Sequence, residues 1–499
     1  MRFTSPLFRR VGAAAALSLV LLGLPAGAQL PSMGDSGDMS TNSERKLGLR
    51  VARELYRDPD YIDDPVLVEY VQGIWQPLLA AARVRGELTG EMDEKFAWQV
   101  LLGKDRTINA FAVPGGWLGL HLGLISVTAN RDELASVLAH ELSHVTQRHI
   151  SRMIEREGRN FPLLVAAMIL GAIAVGKSPD AGGALIAGGQ ALAVQQGLNF
   201  SRDMEREADR IGLGVATQAG FNPQGFVSMF EKLQQASRLN DSGAFPYLRT
   251  HPMNTERAAE MQSRQQLAGV APAQPTVEHS IAAARARVLS NPGVDGLRGL
   301  VTEADSQSLA AQPRPRQAAV LYSAALAASR LRDTPQATHL LERLKAAVAG
   351  DAAGERQARL LEAEVALAAG APARALRLVD LASDHRPDVM LAAQALIQTG
   401  QARQAAERLQ TWVASQPRDA GAWQMLSQAY AGQQQEVRAV RADAEARVAQ
   451  LDYTAALDRF KAAQDLVRKG GGADHIEASI IDSRTRAVES LVREQALQR

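Results

Sequence analysis

His140, Glu141 and His144 stand in the order H-E-x-x-H, within a stretch whose apolar residues Leu134, Val137, Leu138, Leu142 and Val145 recur at helical spacing. On such a helix residues four apart share a face, so both imidazoles can reach one ion at Zn–N distances of about 2.0–2.1 Å. Glu141 is rotated about 100° from His140 and flanks the ion rather than binding it. There it can take a proton from water activated by the metal. Asn130 and Glu133 form a capping box at the start of the helix. Chance yields H-E-x-x-H in roughly one chain of this composition in a hundred, so the motif is specific.

Two histidines leave a catalytic zinc one protein ligand short. A third histidine six residues beyond His144 is excluded, because Ile150 and Gln147 occupy the positions that arrangement needs and His149 is out of phase. A glutamate from a later helix is the other solution. In Ser201–Asp209, Glu205 and Asp209 are four apart and share a face, whereas Glu207 points away. Glu205 can ligate, and Asp209 can accept the second ring N–H of a ligand histidine. Ala208 and Gly212 would let this helix pack closely on the first.

The chain that must position these groups has 499 residues, enough for two or three domains. Its 55 basic and 54 acidic side chains nearly cancel, which gives no support for nucleic-acid binding. There is no cysteine, which excludes disulfides, thiolate ligands and lipoprotein attachment. Residues 1–28 read as a signal peptide, with Arg2, Arg9 and Arg10, then apolar Val11–Leu24, then Ala26-Gly27-Ala28. Residues 29–43 read as a disordered arm, 44–267 as the metallopeptidase domain, and 268–316 as linker and connecting helices. Phe96–Leu102 has a strand pattern, Asn109–Gly116 reads as a loop, and Trp117–Val127 as a short extended segment. Apolar Phe161–Gly176 and Ala181–Leu198 read as a buried or lid helix, or as a peripheral membrane contact.

Residues 317–499 repeat helix, turn, helix with a period of roughly 34 residues, the signature of tetratricopeptide (TPR) units. Ala375, Val379, Ala382 and Pro387 mark one second helix and its exit, and Ala405, Leu409, Trp412 and Pro417 mark the next. Trp423, Leu426 and Tyr430 then fall on a first helix. Its second helix would resume at Tyr453 with Ala456, Phe460 and Ala463, after an insertion. The expected fold is mainly α: an α+β zincin-type domain with a small sheet, then an all-α TPR superhelix.

Asn109 to Gly116, H-E-x-x-H at 140–144 and Glu205-x-Glu207-Ala208-Asp209 together resemble the metallopeptidase family of the CAAX prenyl proteases, HtpX and mitochondrial Oma. The resemblance implies His140, His144 and Glu205 as ligands of one Zn²⁺ and Glu141 as general base. It implies Asn109, Ala110, Phe111 and Ala112 as a cleft border that aligns substrate as an added strand. His251, in Thr250-His251-Pro252, would stabilise the oxyanion or plug the open zinc position, and Arg257 is a second oxyanion candidate. With export signal and repeats, it further implies a periplasmic endopeptidase acting on misfolded or stalled outer-membrane proteins. The repeats would dock on the β-barrel assembly machinery. The competing expectation is a TPR assembly factor with a quiescent protease site.

Overall fold

The computed structural model describes residues 39–157, 201–238, 245–268, 273–290, 292–470 and 475–497. The expected signal peptide, most of the arm and the apolar stretches at 161–176 and 181–198 lie outside the described residues. Among the described residues no helix is long and apolar enough to cross a membrane.

Helix α1 (Thr41–Arg57) starts inside the stretch expected to be an arm, because Ser40 caps it by accepting from Ser43 N–H. Strand β1 (Tyr61–Ile62) follows, then α2 (Pro65–Val84), capped by Asp64, and the short α3 (Gly90–Lys95). Strands β2 (Gln99–Gly103), β3 (Ala110–Val113) and β4 (Trp117–His121) complete a four-stranded sheet of order β1-β2-β4-β3. β2 runs parallel to β4, and β3 is antiparallel to β4 at the edge. The sequence pattern reads 109–116 as a loop, yet residues 110–113 are a strand. Their short Ala-Phe-Ala-Val run is stabilised by pairing with β4, which local pattern cannot reveal. Phe111 lies opposite Gly119, where a Cβ would fall 2.0 Å from its ring. The expected extended segment ends at His121, and α4 (Leu122–Val127) takes the rest.

Helix α5 (Arg131–Thr146) carries H-E-x-x-H. Asn130 Oδ1 accepts from Glu133 N–H, while the Glu133 carboxylate reaches back to Ala129 N–H. Then come α6 (His149–Glu157), α7 (Arg202–Gln218), α8 (Gln224–Arg238), the single turn α9 (Tyr247–Thr250) and α10 (Thr255–Ala268). α7 packs directly on α5: a Cβ at Gly212 would lie 3.1 Å from the Ala139 carbonyl and His140 N.

The expected linker supplies α11 (Val277–Leu289) and α12 (Gly293–Glu303). Beyond it run α13 (Arg314–Arg330), α14 (Thr334–Val348), α15 (Ala352–Ala368), α16 (Pro372–Leu378) and α17 (Arg386–Gln398). The last are α18 (Ala402–Ser415), α19 (Ala420–Ala431), α20 (Glu436–Ala449), α21 (Tyr453–Arg468) and α22 (His475–Ala496). Each packs on the next. At Gly370 and Gly400, φ values of 73° and 77° supply the left-handed residue that ends a helix abruptly.

The repeat spacing read from the sequence is partly displaced. α16 ends at Leu378, so Val379 is its C-cap, Ala382 lies in the following loop and Pro387 opens α17. The presumed insertion after Tyr430 is itself a helix, α20, so Tyr453 starts the next pair rather than completing the last one. α20 buries Ala442, Ala444 and Ala446, small residues that make close contacts without marking a period. One apolar core runs from Trp75 on α2 through Leu138 on α5 and Ile281 on α11 to Tyr322 on α13 and Leu361 on α15. Helices α11 and α12 thus pack as part of that core.

Candidate metal centre

α5 presents His140 and His144 from adjacent turns, with Nε2 atoms 3.0 Å apart. α7, fixed against α5 at Gly212, brings Glu205 Oε2 to 3.5 Å from His140 Nε2 and Oε1 to 3.4 Å from His144 Nε2. Bonds of about 2.0–2.1 Å in a tetrahedral site put donor atoms about 3.3–3.4 Å apart, so the three residues fit a single ion of zinc size. His140, Glu141, His144, Glu205, Asp209 and His251 are each at most 2% exposed. Among the described residues neither carboxylate oxygen of Glu141 makes a well-formed hydrogen bond, although His251 Nε2 lies 3.4 Å from Oε1.

The supporting groups are as specific as the donors. Asp209 Oδ1 lies 2.9 Å from His140 Nδ1, the position expected from its four-residue spacing to Glu205. Arg257, on α10, donates from Nε and Nη2 to Asp209 at 2.6 and 2.7 Å, and its Nη1 lies 2.7 Å from Glu205 Oε2. With Nη1 also donating to the Pro252 carbonyl, every nitrogen is committed to holding the site together. Arg257 is therefore a clamp on two carboxylates, not the oxyanion donor considered from sequence.

Burial would raise the Glu205 carboxyl, but His251 and Arg257 outweigh it and hold the group well below the usual range. Burial likewise lowers His140, yet its contacts with Asp209 and Glu205 prevail and lift it to about 10. His144 is pushed well down by burial, and burial pushes Glu141 up. Glu205 and His144 thus stand in the forms a metal requires, whereas His140 holds a proton that a bound metal would displace.

His251 follows α9 and stacks on Tyr247, ring centroids 4.5 Å apart. Its Nδ1 lies 3.0 Å from Glu205 Oε1 and 3.3 Å from His140 Nε2, and its Nε2 lies 3.4 Å from Glu141 Oε1. Among the described residues His140, His144, Glu205 and His251 form a group whose ligand atoms all lie within 4.8 Å of one another.

Strand β3 lies along α5. Ala110 and Ala112 turn their side chains into the main core, Phe111 is half-buried on the opposite face beside His121, and Asn109 is buried. His121 N–H donates to Asn109 O, so residues 109, 111 and 113 bond to β4. The N–H and C=O of Ala110 and Ala112 therefore point to the sheet edge, where no further strand pairs with β3 among the described residues, and Tyr247 closes the start of that edge by donating to Ile108 O.

Sequence reasoning missed the partners of His149. Its Nδ1 lies 2.8 Å from His144 Nδ1, and its Nε2 lies 3.0 Å from Glu207 Oε2. A helix assumed to continue past Thr146 hides both contacts.

Residues 73–265 match the model of peptidase family M48. The chain is 31% identical over 436 residues to the beta-barrel assembly-enhancing protease of Escherichia coli O157:H7, covering 86% of each protein. It is 33% identical over 280 residues to the putative beta-barrel assembly-enhancing protease of Vibrio cholerae, 54% of this chain and 55% of that protein. It is 32% identical over 165 residues to the mitochondrial metalloendopeptidase OMA1 of Arabidopsis thaliana, 33% of this chain and 31% of that one.

Proposed function

The chain belongs to peptidase family M48 and is a metalloprotease, and from that premise we propose that it is a zinc endopeptidase of the periplasm acting on misfolded or stalled outer-membrane proteins. The observation that carries the chemistry is the tetrahedral spacing of the His140, His144 and Glu205 donors with Glu141 beside them. Two imidazoles and one carboxylate suit zinc better than magnesium or calcium. When bound, such an ion polarises a carbonyl and makes water a nucleophile near neutral pH. Glu141 takes the proton of the attacking water and delivers it to the leaving amine nitrogen. Asp209 orients His140, and Arg257 holds both carboxylates in place and favours the ionised form of Glu205. The open amides and carbonyls of Ala110 and Ala112 align substrate backbone as an added strand.

The outer-membrane role is supported by the relatives' name and by the helix pairs of residues 317–499, read as TPR units that recruit clients and dock on the β-barrel assembly machinery. Chelation tests the reaction directly. A strong chelator should abolish cleavage of an unfolded outer-membrane protein, and stoichiometric zinc should restore it. His140→Ala should lose both zinc and cleavage. Cleavage unaffected by complete zinc removal would sink the reading.

The contacts of His251 favour a plug over an oxyanion donor, because its Nδ1 lies among the donor atoms and its Nε2 meets the general base. They favour in turn the second reading, an assembly factor whose protease site is quiet at rest. His251→Ala should raise the initial rate on an unstructured protein substrate severalfold, measured by gel or fluorescence. An oxyanion role would give the opposite sign.

A further inference from the structure

We propose that His149 is a positioning residue for the metal ligand His144, fixing its tautomer and ring orientation through a relay that runs from Glu207 to His149 to His144. The inference rests on the metal centre proposed above.

α5 ends at Thr146, and α6 begins at His149. In an unbroken helix His149 would project about 140° away from His144. Arg148 instead takes φ 54°, a left-handed conformation unfavourable for a non-glycine residue. It is held there by side-chain bonds from Nε to Glu44 Oε1 at 3.0 Å and from Nη2 to the Met39 carbonyl. The turn swings His149 back under the helix, where it is fully buried and crosses the His144 ring edge-on with centroids 4.8 Å apart.

Two imidazole Nδ1 atoms 2.8 Å apart must share one proton between them. If His144 offers Nε2 to the ion, its Nδ1 carries the hydrogen and donates to His149 Nδ1. The His149 proton then sits on Nε2 and donates to Glu207 Oε2 at 3.0 Å, which also accepts from Arg152 Nη1 at 2.8 Å. This assignment satisfies each of these contacts. The reverse order would put a proton on His144 Nε2, the atom that faces His140 and Glu205. Each ligand histidine thus has an acceptor on its outer nitrogen: Asp209 directly for His140, and Glu207 at one remove, through His149, for His144. Such partners commonly change metal affinity by about 10–100-fold.

Zinc affinity of the apoprotein, measured by competition with a chromogenic chelator, tests this without reference to catalysis. His149→Leu keeps the volume but offers no acceptor, and should weaken zinc by about 10–100-fold. His149→Asn puts an amide oxygen where Nδ1 lies, and should stay within about threefold of the parent. A Leu variant that folds and binds zinc as tightly as the parent overturns the proposal. Should the Leu variant fail to fold, Glu207→Ala decides, since that residue is partly exposed. A severalfold loss of affinity supports the relay, and an unchanged value overturns it. A parent that binds no zinc at a site removed by His140→Ala overturns the metal centre itself, and the relay with it.

Discussion

Glu141→Gln should lower peptide hydrolysis by about 10²–10⁴-fold, the usual contribution of a positioned base, while zinc remains bound at the parent stoichiometry. The amide matches the carboxylate in shape but cannot accept a proton. None of His140, His144 or Glu205 depends on Glu141 for a hydrogen bond, so the donor set is untouched. Burial already pushes the Glu141 carboxyl up, so the neutral side chain removes a charge that is costly to bury and should not lower the melting temperature. Zinc content by mass spectrometry and cleavage of an unfolded client measure the two halves separately. A variant that cuts at the parent rate would remove Glu141 from its role. The same variant separates the two readings of function in cells: full rescue of a deletion strain favours assembly, and no rescue favours proteolysis.

Arg285→Met should destabilise the protein by about 3–5 kcal/mol, because it leaves a buried charge without its partner. Arg285, on α11, donates from Nε and Nη2 to the two oxygens of Asp64 at 2.8 and 2.6 Å, and from Nη1 to Tyr322 Oη and Glu364. Asp64 is also the cap of α2, accepting from Leu67 N–H at 2.9 Å. Burial would raise the Asp64 carboxyl, but Arg285 outweighs it and holds the group below its ordinary 3.8. A carboxyl depressed in the folded state contributes stability above its unfolded value and loses it as pH falls through the folded one. The parent should therefore lose stability more steeply than the variant as pH drops below about 4. Urea unfolding at pH 7 and pH 3.5 measures both effects. A loss under about 1 kcal/mol at pH 7 would show the network to be surface-like.

The helix bearing H-E-x-x-H was legible because its apolar stripe, its cap at Asn130 and its ligands share one local period. Glu205 and Asp209 were legible for the same reason, and the small residue at 212 signalled the close approach. His149 and Glu207 were not, because one left-handed residue, Arg148, breaks the period on which the phase argument relied. Its cause lies at Met39 and Glu44, over a hundred positions away. Arg257 suggested a catalytic charge until its partners were visible. β3 was hidden because strand pairing is decided by a neighbour, and α20 because buried alanine carries little pattern. The repeat boundaries drifted where α16 is only seven residues long.

If β3, at the sheet edge among the described residues, receives substrate as proposed, there is a consequence for what can be cut. Amide and carbonyl groups are the same in every polypeptide, and Ala110 and Ala112 offer an incoming chain little else. A cleft loaded in this way discriminates poorly between sequences, but sharply between chains whose backbone hydrogen bonds are already taken and chains whose bonds are still unmade. A finished β-barrel has no free edge to donate. An arrested one does, so under the proposed function the age of a client, rather than its sequence, would decide its fate.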